Sequence, residues 1–416
     1  MPLRWLPTSA KWLTPSTWWW VPIFESRLLM KTLAGPGSQQ QPKPATAARG
    51  VLSSLRRLSA KKPRFRLQFH DLYYYSWAKN ELLASPAEPR HDGTVRISLV
   101  IPTLNAGPLL DDVLAGLKGL RGTTFDELQA IDSGSTDGTV ERLRAAGFRV
   151  ASIDKRTFDH GRTRDQGIRL TTGDIVVLMV QDATPQGSDW LAKLVAPFAD
   201  PEVAGVWCRQ IPRPGCQPVL DRRIRGWPGW GDGVTVKRLP PGQRLADLPP
   251  IEQLMLCAFD NVASALRRSA WERFPLGPRR FGEDVWFGKR VIEAGLALAH
   301  QGGTCVMHSH DRSAFAEGKR TFCDHRNLHA LFGLTGIPTR EALDGAIRYA
   351  TPEHCDYVRS LGLPPDQEAK ALRWTEEYVK WQCWGQYLGA RAAMKLPSPE
   401  GTFLRWLGKR LERGIG

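Results

Sequence analysis

Three short apolar runs in this sequence are each followed at once by polar side chains. These are Thr103 and Asn105, then Asp132 and Ser133, and later Gln181 and Asp182. A carboxylate at such a place can accept hydrogen bonds from a nucleobase or a ribose, or hold a divalent ion that bridges two phosphates. The segment DSGSTD around Asp132 is equally compatible with a plain turn in which Ser135 or Thr136 caps the following helix.

The elements that must position these side chains alternate between strand and helix. Strands are predicted at residues 96–102, 128–131, 149–153 and 175–180, and helices at 109–120, 136–146 and 162–170. This alternation predicts an α/β fold with a parallel sheet flanked by helices, whose ligand lies at the carboxyl ends of the strands. No GxGxxG motif follows a strand and no GxxxxGK[ST] motif occurs, so a dinucleotide fingerprint and a P-loop are excluded.

The composition indicates a globular protein. The 416 residues are 42% hydrophobic and 24% charged, which excludes a wholly disordered chain, a collagen and a protein with many membrane spans. The seven Cys are odd in number and contain no CxxC pair, which argues against a disulfide scaffold and a zinc knuckle. The reducing cytoplasm is therefore the expected compartment.

The positive charge is concentrated at the front of the chain. The formal net charge is +15, and residues 1–90 hold 14 Lys and Arg against 4 Asp and Glu. Such an arm suits a nucleic acid, an anionic membrane or an acidic partner, or is simply a solvated tail. We expect residues 1–50, which are Trp-rich and then of low complexity, to form a disordered basic extension, and residues 51–95 to form a helical lead-in.

Six motifs, in this order and at these intervals, resemble family 2 glycosyltransferases of the GT-A fold. They are VIPTLN at 100–105, IDSGSTDGT at 131–139, FDHGRTRDQG at 158–167, LMVQDATP at 178–185, GEDVW at 282–286 and VMHSH at 306–310. Within that family, the QDA and HSH triplets look like those of bacterial dTDP-L-rhamnose-dependent rhamnosyltransferases. The resemblance implies a GT-A-like (Rossmann-like), mostly parallel sheet flanked by helices in a catalytic domain at 96–335, followed by a helical C-terminal region at 336–416.

The resemblance also implies a donor-binding set. It consists of Pro102, Thr103, Asn105, Asp132, Ser133, Arg164, Gln181 and Asp182. Asp132 would bind the base or ribose, and the guanidinium fork of Arg164 would reach the diphosphate. Asp165 stands where the family usually has Asn, and a carboxylate near phosphates needs a metal or an Arg partner.

The metal-binding motif of the family is incomplete here. It reads Gln181, Asp182, Ala183, with one carboxylate where many relatives have two. His308 and His310 would complete the set of metal ligands, because two residues that are two apart on a strand point to the same face. Imidazole ligands favour manganese over magnesium. The alternative is that the two His are merely hydrogen-bonded near the sheet edge.

The acids of GEDVW are the candidate catalytic residues. Inverting sugar transfer needs a base within hydrogen-bond reach of the acceptor hydroxyl. The resemblance assigns that base to Asp284, with Glu283 orienting it or the acceptor. The alternative is that both acids only stabilise the first turn of a helix. Between these motifs, residues 209–230 are predicted to be a long loop that covers the donor or the acceptor.

Two C-terminal segments are amphipathic. Residues 366–396 predict one long helix with an aromatic stripe, which would pack on the catalytic domain or on a second subunit of a homo-oligomer. Residues 402–413 form a basic amphipathic pattern typical of an anionic interface. Together with the basic arm, they predict a cytoplasmic protein that is peripheral on the inner face of the cytoplasmic membrane.

We therefore expect an inverting glycosyltransferase that uses a nucleotide-sugar donor, dTDP-L-rhamnose, with manganese or magnesium. Its acceptor would be a saccharide or lipid-linked saccharide in cell-surface polysaccharide synthesis. One alternative is a nucleotide-sugar or carbohydrate-binding protein without turnover, motivated by Gln181 and Asp165. Another is a nucleic-acid-binding protein, but no nucleic acid is expected because no recognisable binding module occurs.

Overall fold

In a computed structural model, which describes residues 95–226, 232–394 and 396–413, the strands form one nine-stranded sheet. The strands are β1 (Ile97–Thr103), β2 (Glu127–Asp132), β3 (Arg149–Ser152), β4 (Ile175–Met179), β5 (Thr184–Gln186), β6 (Val203–Ile211), β7 (Val234–Lys237), β8 (Ala263–Arg267) and β9 (Ala297–Met307). The basic extension at 1–50 and the lead-in up to residue 94 lie outside the described residues.

The sheet has a parallel half and a mixed half. Its order is β3-β2-β1-β4-β8-β6-β9-β5, with β7 also paired to β9. The pairs among the first four strands are parallel, as predicted. The pairs of β8 with β4 and with β6 are antiparallel, whereas β9 is parallel to β6. β6 and β9 therefore run in the same direction as β4, so these strands end at the same edge of the sheet.

Twelve helices surround this sheet in the described part of the chain. They are α1 (Leu109–Lys118), α2 (Thr139–Ala145), α3 (His160–Arg169), α4 (Trp190–Val195), α5 (Pro218–Gly226), α6 (Pro250–Cys257), α7 (Arg268–Arg273), α8 (Glu283–Glu293), α9 (Ala314–Phe332), α10 (Arg340–Ser360), α11 (Pro365–Ala393) and α12 (Glu400–Leu411). Single 3₁₀ turns lie at Lys155–Thr157, Ala196–Ala199 and Leu245–Asp247.

Two hydrophobic cores cover the two faces of the sheet. Leu99 and Ile101 of β1 pack into one core, and Val100, between them, packs into the other. Alternate side chains of a strand point to opposite faces, so an apolar run without alternation is buried on both sides. This explains why the sequence of β1 predicted a doubly covered strand.

The predicted loop at 209–230 is largely structured. β6 continues to Ile211, and α5 begins at Pro218, a residue type that fits the first turn of a helix because its missing N–H has no partner there. α5 contributes Val219 and Leu220 to a third hydrophobic core, which it shares with α10 and α11. Of the predicted loop, residues 227–230 lie outside the described part.

The C-terminal helices were placed well by the sequence. The predicted helix 366–396 corresponds to α11, and the basic amphipathic segment corresponds to α12. α11 packs closely along α9, because a Cβ at Gly385 would lie 2.6 Å from the Gly318 carbonyl oxygen and one at Gly318 would lie 2.6 Å from the Trp381 Cβ. Within the described ranges, no helix is both long and apolar enough to cross a bilayer.

Candidate active site

The loops after β1 and β2 are tied together by their own polar side chains. Both oxygens of the buried Asp132 carboxylate are occupied: they accept hydrogen bonds from Thr103 Oγ1 (3.1 Å), Ser135 Oγ (2.5 Å) and the amides of Gly134 and Ser135 (both 2.9 Å). Asp132 therefore builds this turn, in agreement with one part of the turn interpretation of the DSGSTD segment. The other part is wrong, because α2 begins at Thr139 with Gly138 as its N-cap, so neither Ser135 nor Thr136 caps it.

The same interlock includes Asn105. Its side-chain Oδ1 accepts from the Thr136 amide (2.8 Å), and its backbone has a φ of 45°, a left-handed conformation that Asn tolerates. Ser133 differs from its neighbours, because its Oγ is buried and has no hydrogen-bond partner among the described residues. Of the predicted donor residues in these two loops, Ser133 is thus the one with an unused buried polar atom.

Gln181 fixes the loop after β1. Its Oε1 accepts from the Leu104 amide (2.7 Å), and its Nε2 donates to the Leu104 carbonyl (3.1 Å). Both ends of the amide are used on the backbone, so Gln181 stands beside Asp182 as a structural residue. Its presence in place of a second carboxylate is explained by this contact.

Asp182, His308 and His310 come together at the common edge of the sheet. The distance from His308 Nε2 to Asp182 Oδ1 is 3.7 Å, and that from His310 Nδ1 to Asp182 Oδ2 is 3.5 Å. One ligand atom of each residue lies within 4.8 Å of the others. The three residues meet because β9 ends at Met307 and pairs there with Thr184, two residues after Asp182.

A hydrogen-bond chain orients His308. The Gln210 amide nitrogen donates to the Asp260 carboxylate, so the Gln210 amide oxygen faces His308 Nδ1 at 2.8 Å and accepts a hydrogen bond from its N–H. Because Nδ1 carries the ring proton, Nε2 is unprotonated, and its lone pair points toward the oxygens of Asp182. Two groups that can only accept face each other, and a cation between them would satisfy both.

Both histidines are neutral. Burial lowers the pKa of His308 to about 4, and burial together with His308 and Arg312 lowers that of His310 to about 2. Neutral imidazole is the form that binds a metal. One carboxylate and two imidazoles thus fit a divalent transition metal such as Mn²⁺.

Arg164 and Glu283 form a buried ion pair. The guanidinium Nη1 lies 3.0 Å from Glu283 Oε1, and the side chains are only 4% and 7% exposed. Burial acts to raise the pKa of Glu283, but Arg164, His160 and the Asn261 amide outweigh it, so the pKa lies below its usual value. Arg164 Nε is buried without a hydrogen-bond partner among the described residues. The ion pair with Glu283 therefore favours the ionised carboxylate and holds Arg164 in the cavity wall.

Asp284 has the opposite electrostatic environment. Burial, the Glu283 charge and the Asp260 charge raise its pKa well above the usual value. It accepts one hydrogen bond, from the Val285 amide at 2.7 Å. A carboxylate whose ionised form is disfavoured is a stronger base, which suits proton abstraction from a hydroxyl.

The expectation for Asp165 is wrong. Its carboxylate does not face phosphates: Oδ1 accepts from Trp271 Nε1 (2.7 Å) and the Leu276 amide (3.1 Å), and Oδ2 accepts from the Gly277 amide (2.8 Å). It is buried among these donors and ties α3 to the segment after α7. Three N–H donors take the place of the metal or Arg partner that a carboxylate near phosphates would need.

A cavity of about 350 Å³ joins the metal cluster to the catalytic acids. His308 and His310 line one side of it, and Glu283 and Asp284 line another. Arg164 also lines it, whereas the residues of the interlocked loops do not. Gln210 and Arg223 line the wall and lie in the segment 209–230 that was predicted to cover the donor or the acceptor. The sequence analysis missed several other polar residues of the wall, namely Asp260, Asn261, Arg312, Arg320, Asp324 and Asn327. None of these missed residues lies in one of the six motifs.

Known proteins with similar sequences are glycosyltransferases. The family model described as "Glycosyl transferase family 2" matches residues 98–254. An O-antigen chain rhamnosyltransferase of Salmonella typhimurium, RfbN, is 31% identical over 233 residues, which are 55% of this chain and 71% of that protein. A second, WbaN of Salmonella anatum, is 27% identical over 228 residues, which are 54% of this chain and 70% of that protein.

Solved structures are similar at a lower level. Glucosyl-3-phosphoglycerate synthase from Mycobacterium tuberculosis, in complex with Mn²⁺, UDP-glucose and phosphoglyceric acid, has a TM-score of 0.42 and 22% identity, and the alignment covers 58% of this chain and 81% of that chain. A mannosyltransferase from Pyrobaculum calidifontis, in complex with GDP-mannose and Mn²⁺, has a TM-score of 0.37 and 19% identity over 82% of this chain and 87% of that chain.

Proposed function

Because the chain belongs to glycosyl transferase family 2 and is a glycosyltransferase, we propose that it transfers L-rhamnose from dTDP-L-rhamnose with inversion of the anomeric carbon. The acceptor is a saccharide or a lipid-linked saccharide used in cell-surface polysaccharide synthesis. The observation that carries the choice of rhamnose is the similarity to two O-antigen chain rhamnosyltransferases, each matched over about 70% of its length.

In the proposed reaction, Asp284 is the base. The acceptor hydroxyl gives its proton to the Asp284 carboxylate as its oxygen attacks the anomeric carbon of the sugar. The bond from that carbon to the diphosphate oxygen breaks, and its electron pair leaves with the nucleoside diphosphate. The raised pKa of Asp284 supports this role, because proton transfer from a hydroxyl is favoured by a base of higher pKa.

The leaving group is held on the opposite side of the cavity. Asp182, His308 and His310 would hold a divalent cation, Mn²⁺ or Mg²⁺, and the two imidazoles favour Mn²⁺. Bound there, the cation would supply positive charge to the diphosphate as it leaves. Arg164 is proposed to contact the same diphosphate, because its Nε is free of the pairing that Glu283 imposes on Nη1.

The base and ribose of the donor are assigned to the loops after β1 and β2, which are tied together by their polar side chains. Pro102 and Thr103 are the last two residues of β1, Asn105 shapes the loop after it, and Asp132 fixes the turn after β2. We assign the direct contact to Ser133, whose hydroxyl has no partner, and assign an indirect role to Gln181, which holds the first loop. This division of roles supports a preformed donor site, which loses less conformational entropy when the donor binds.

We also propose that the protein is cytoplasmic and docks on an anionic membrane through α12. Gly401, Leu404 and Gly408 face the protein, whereas Phe403 and Trp406 are 55% and 50% exposed and stacked 5.9 Å apart. Arg405, Lys409 and Arg410 lie on the same helix beside them. Exposed aromatic rings flanked by cations match the interface of a bilayer with anionic headgroups.

A thermal-shift titration tests the donor assignment. dTDP with Mn²⁺ is expected to raise the melting temperature more than UDP or GDP with Mn²⁺, and dTDP without metal is expected to raise it less, because a ligand that binds only the native state stabilises it. The variant Asp182→Ala should lose the metal-dependent part of the shift, whereas the exposed Asp356→Asn should keep it. An equal response to all three nucleotides would contradict the choice of dTDP.

A further inference from the structure

Helix α9 presents a row of polar side chains to the cavity. Arg320, Asp324 and Asn327 are spaced i, i+4 and i+7, which places them on one face of the helix, and all three line the cavity. The opposite face of α9 is packed against α11, where Gly385 and Gly389 allow the two backbones to approach closely. The row is therefore held in place from behind.

The polar side-chain atoms of Arg320, Asp324 and Asn327 have no hydrogen-bond partner in the described part of the chain. Asp324 accepts no hydrogen bond and has no ion pair within 4.0 Å there, and the guanidinium of Arg320 contacts only the Phe281 ring, at 5.6 Å. Asn327 likewise has no hydrogen-bond partner. The facing wall is different, because Arg164, Glu283, Gln210 and His308 all bond to one another or to neighbours. Besides Arg164 Nε and the Asp284 carboxylate, to which roles are already assigned, this row on α9 offers the cavity further side-chain groups for new hydrogen bonds.

The row runs from the metal cluster to the base. Arg320 is close enough to His308 and His310 for its charge to lower their pKa values. Asn327 lies against Gly282, because a Cβ on that glycine would collide with the Asn327 amide, and Gly282 directly precedes Glu283 and Asp284. Asp324 is one turn of helix away from Asn327, and the charges on other elements that affect its pKa are those of Arg223 on α5 and of Asp260.

The chemistry of the row matches a neutral sugar. A carboxylate accepts from two hydroxyls, while a guanidinium and an amide donate to others, so the row can bind a vicinal diol from both sides. Arg320 and Arg223 offset the carboxylate charges nearby, so the row does not select an anion. Burial raises the pKa of Asp324 to about 6, against the opposing effect of the two guanidiniums, which marks this carboxylate as desolvated.

Building on the proposed function, we infer that Asp324, between Arg320 and Asn327, binds the hydroxyls of a neutral acceptor pyranose and places its attacking hydroxyl beside Asp284. The acceptor belongs here because the base must meet the acceptor hydroxyl and Asn327 borders the base. Asp324 then determines which pyranose, and which of its hydroxyls, is used.

Nucleotide release from dTDP-L-rhamnose with Mn²⁺ tests this inference, measured with and without the methyl glycosides of rhamnose, galactose, mannose and glucose. In the unaltered protein, at least one glycoside should accelerate release above the rate of donor hydrolysis by water. Asp324→Asn should raise the KM for that glycoside by about tenfold, the loss expected when a charged hydrogen bond is removed. Its KM for the donor and its hydrolysis rate should change by less than about twofold.

The control is Asp356→Asn, the same substitution at a carboxylate of α10 that is 73% exposed, and it should change none of these values. As a second measurement, deoxy analogues of the accelerating glycoside should lose affinity with the unaltered protein at one position, and lose none with Asp324→Asn at that same position. This comparison does not depend on the absolute activity of the variant.

Other results would overturn the inference. If Asp324→Asn raises the KM for the donor, or lowers the hydrolysis rate as much as it lowers transfer, Asp324 belongs to the donor sugar. Unchanged kinetics would remove Asp324 from the site. Donor hydrolysis that no pyranoside accelerates would overturn the neutral acceptor while leaving the donor reaction intact. Absence of both hydrolysis and transfer would instead contradict the proposed function itself.

Discussion

Glu283 and Asp284 are adjacent in sequence but have opposite electrostatic environments. Glu283 is paired with Arg164, and its pKa is lowered, whereas Asp284 has no cation within ion-pair distance in the described structure, and its pKa is raised. The difference arises because successive residues in a first helical turn point in different directions. One carboxylate thus holds the site together, and the other is available to react.

Replacing Asp284 by Asn should separate activity from stability. Transfer should fall by about 10²- to 10⁴-fold, the usual contribution of a positioned base. The free energy of unfolding should rise at neutral pH, because burial and the neighbouring acids disfavour the ionised Asp284 in the folded state. Initial rates and chemical denaturation measure the two effects, with the exposed Asp344→Asn as the control. Normal turnover in Asp284→Asn would remove it as the base.

The pH dependence of transfer should follow the ionisation of the Asp284 carboxylate. An Asp with a raised pKa is protonated, and inactive as a base, at pH values where an ordinary Asp with a pKa of 3.8 is ionised. The rate should therefore fall on the acid side at a pH clearly above 3.8, and increase as the pH rises through that limb. Rate profiles at saturating donor measure this limb. A midpoint at the ordinary value would contradict the assignment.

Gln210 should affect metal binding without touching the metal. Gln210→Leu removes the acceptor that holds the proton on His308 Nδ1, so His308 loses its fixed tautomer and orientation. Mn²⁺ affinity should fall by about 10- to 100-fold, as for other residues that orient a ligand. Titration of Mn²⁺ followed by electron paramagnetic resonance measures this. Gln253→Leu is the control, because the side chain of Gln253 donates to the Leu248 carbonyl and not to a ligand of the metal cluster. Unchanged affinity would show that the hydrogen-bond chain is not needed.

At the scale of single residues, the sequence predicted what its motifs contain. The cluster of Asp182, His308 and His310 assembles as predicted, since all three follow strands that end at one edge of the sheet. Gln210 and Asp324 could not be predicted, because their importance comes from partners about a hundred residues away or from a helix face that no motif marks. Asp165 was misjudged because its three partners lie more than a hundred residues later in the chain.

At the scale of elements, the parallel half of the sheet and the C-terminal helices follow directly from apolar patterning. The mixed half was less predictable, because the direction of β8 and β9 depends on which edge each strand joins and not on its own residues. α5 was taken for a loop because its several Pro and Gly neighbours obscure a short apolar face. The burial of Val219 and Leu220 depends on α10 and α11, which provide the surface that covers them, so it could not be predicted from the residues of α5 alone.

Gly385→Ala should test the packing of α11 on α9. The added methyl would lie 2.6 Å from the Gly318 carbonyl and 2.9 Å from the Thr321 Cβ, so the helices must separate. We expect a loss of about 1–3 kcal/mol in the free energy of unfolding, the usual cost of overpacking. Chemical denaturation measures this loss. Gly408→Ala is the matched control, because its methyl would lie 3.4 Å from its nearest neighbours. Equal stability of the two variants would mean that α9 can shift freely.

At the scale of the whole molecule, the exposed face of α12 should govern binding to membranes. The full-length chain should sediment with vesicles that contain phosphatidylglycerol, and less with neutral vesicles or at high salt, because the screening length shortens. The double substitution Phe403→Ala and Trp406→Ala should weaken binding by about tenfold or more, because two rings lose apolar contact. Leu361→Ala, an exposed apolar residue elsewhere, should have no effect.

A second comparison separates the two basic regions. Removal of residues 1–50 should reduce vesicle binding further, through the loss of part of the charge that residues 1–90 carry. If the α12 double variant binds vesicles like the unaltered chain, the membrane contact of α12 is excluded, and any remaining binding belongs to the N-terminal arm.

The packing of α9 against α11 also bears on how much of the chain a minimal enzyme needs. A chain that stopped at Phe332 would contain every residue assigned here to donor, metal, base and acceptor, yet it would lack the helix against which α9 rests. We expect such a truncated chain to leave the row on α9 without a fixed position. The position of the active-site residues on α9 thus depends on a helix that extends to Ala393, long after the last motif in the sequence.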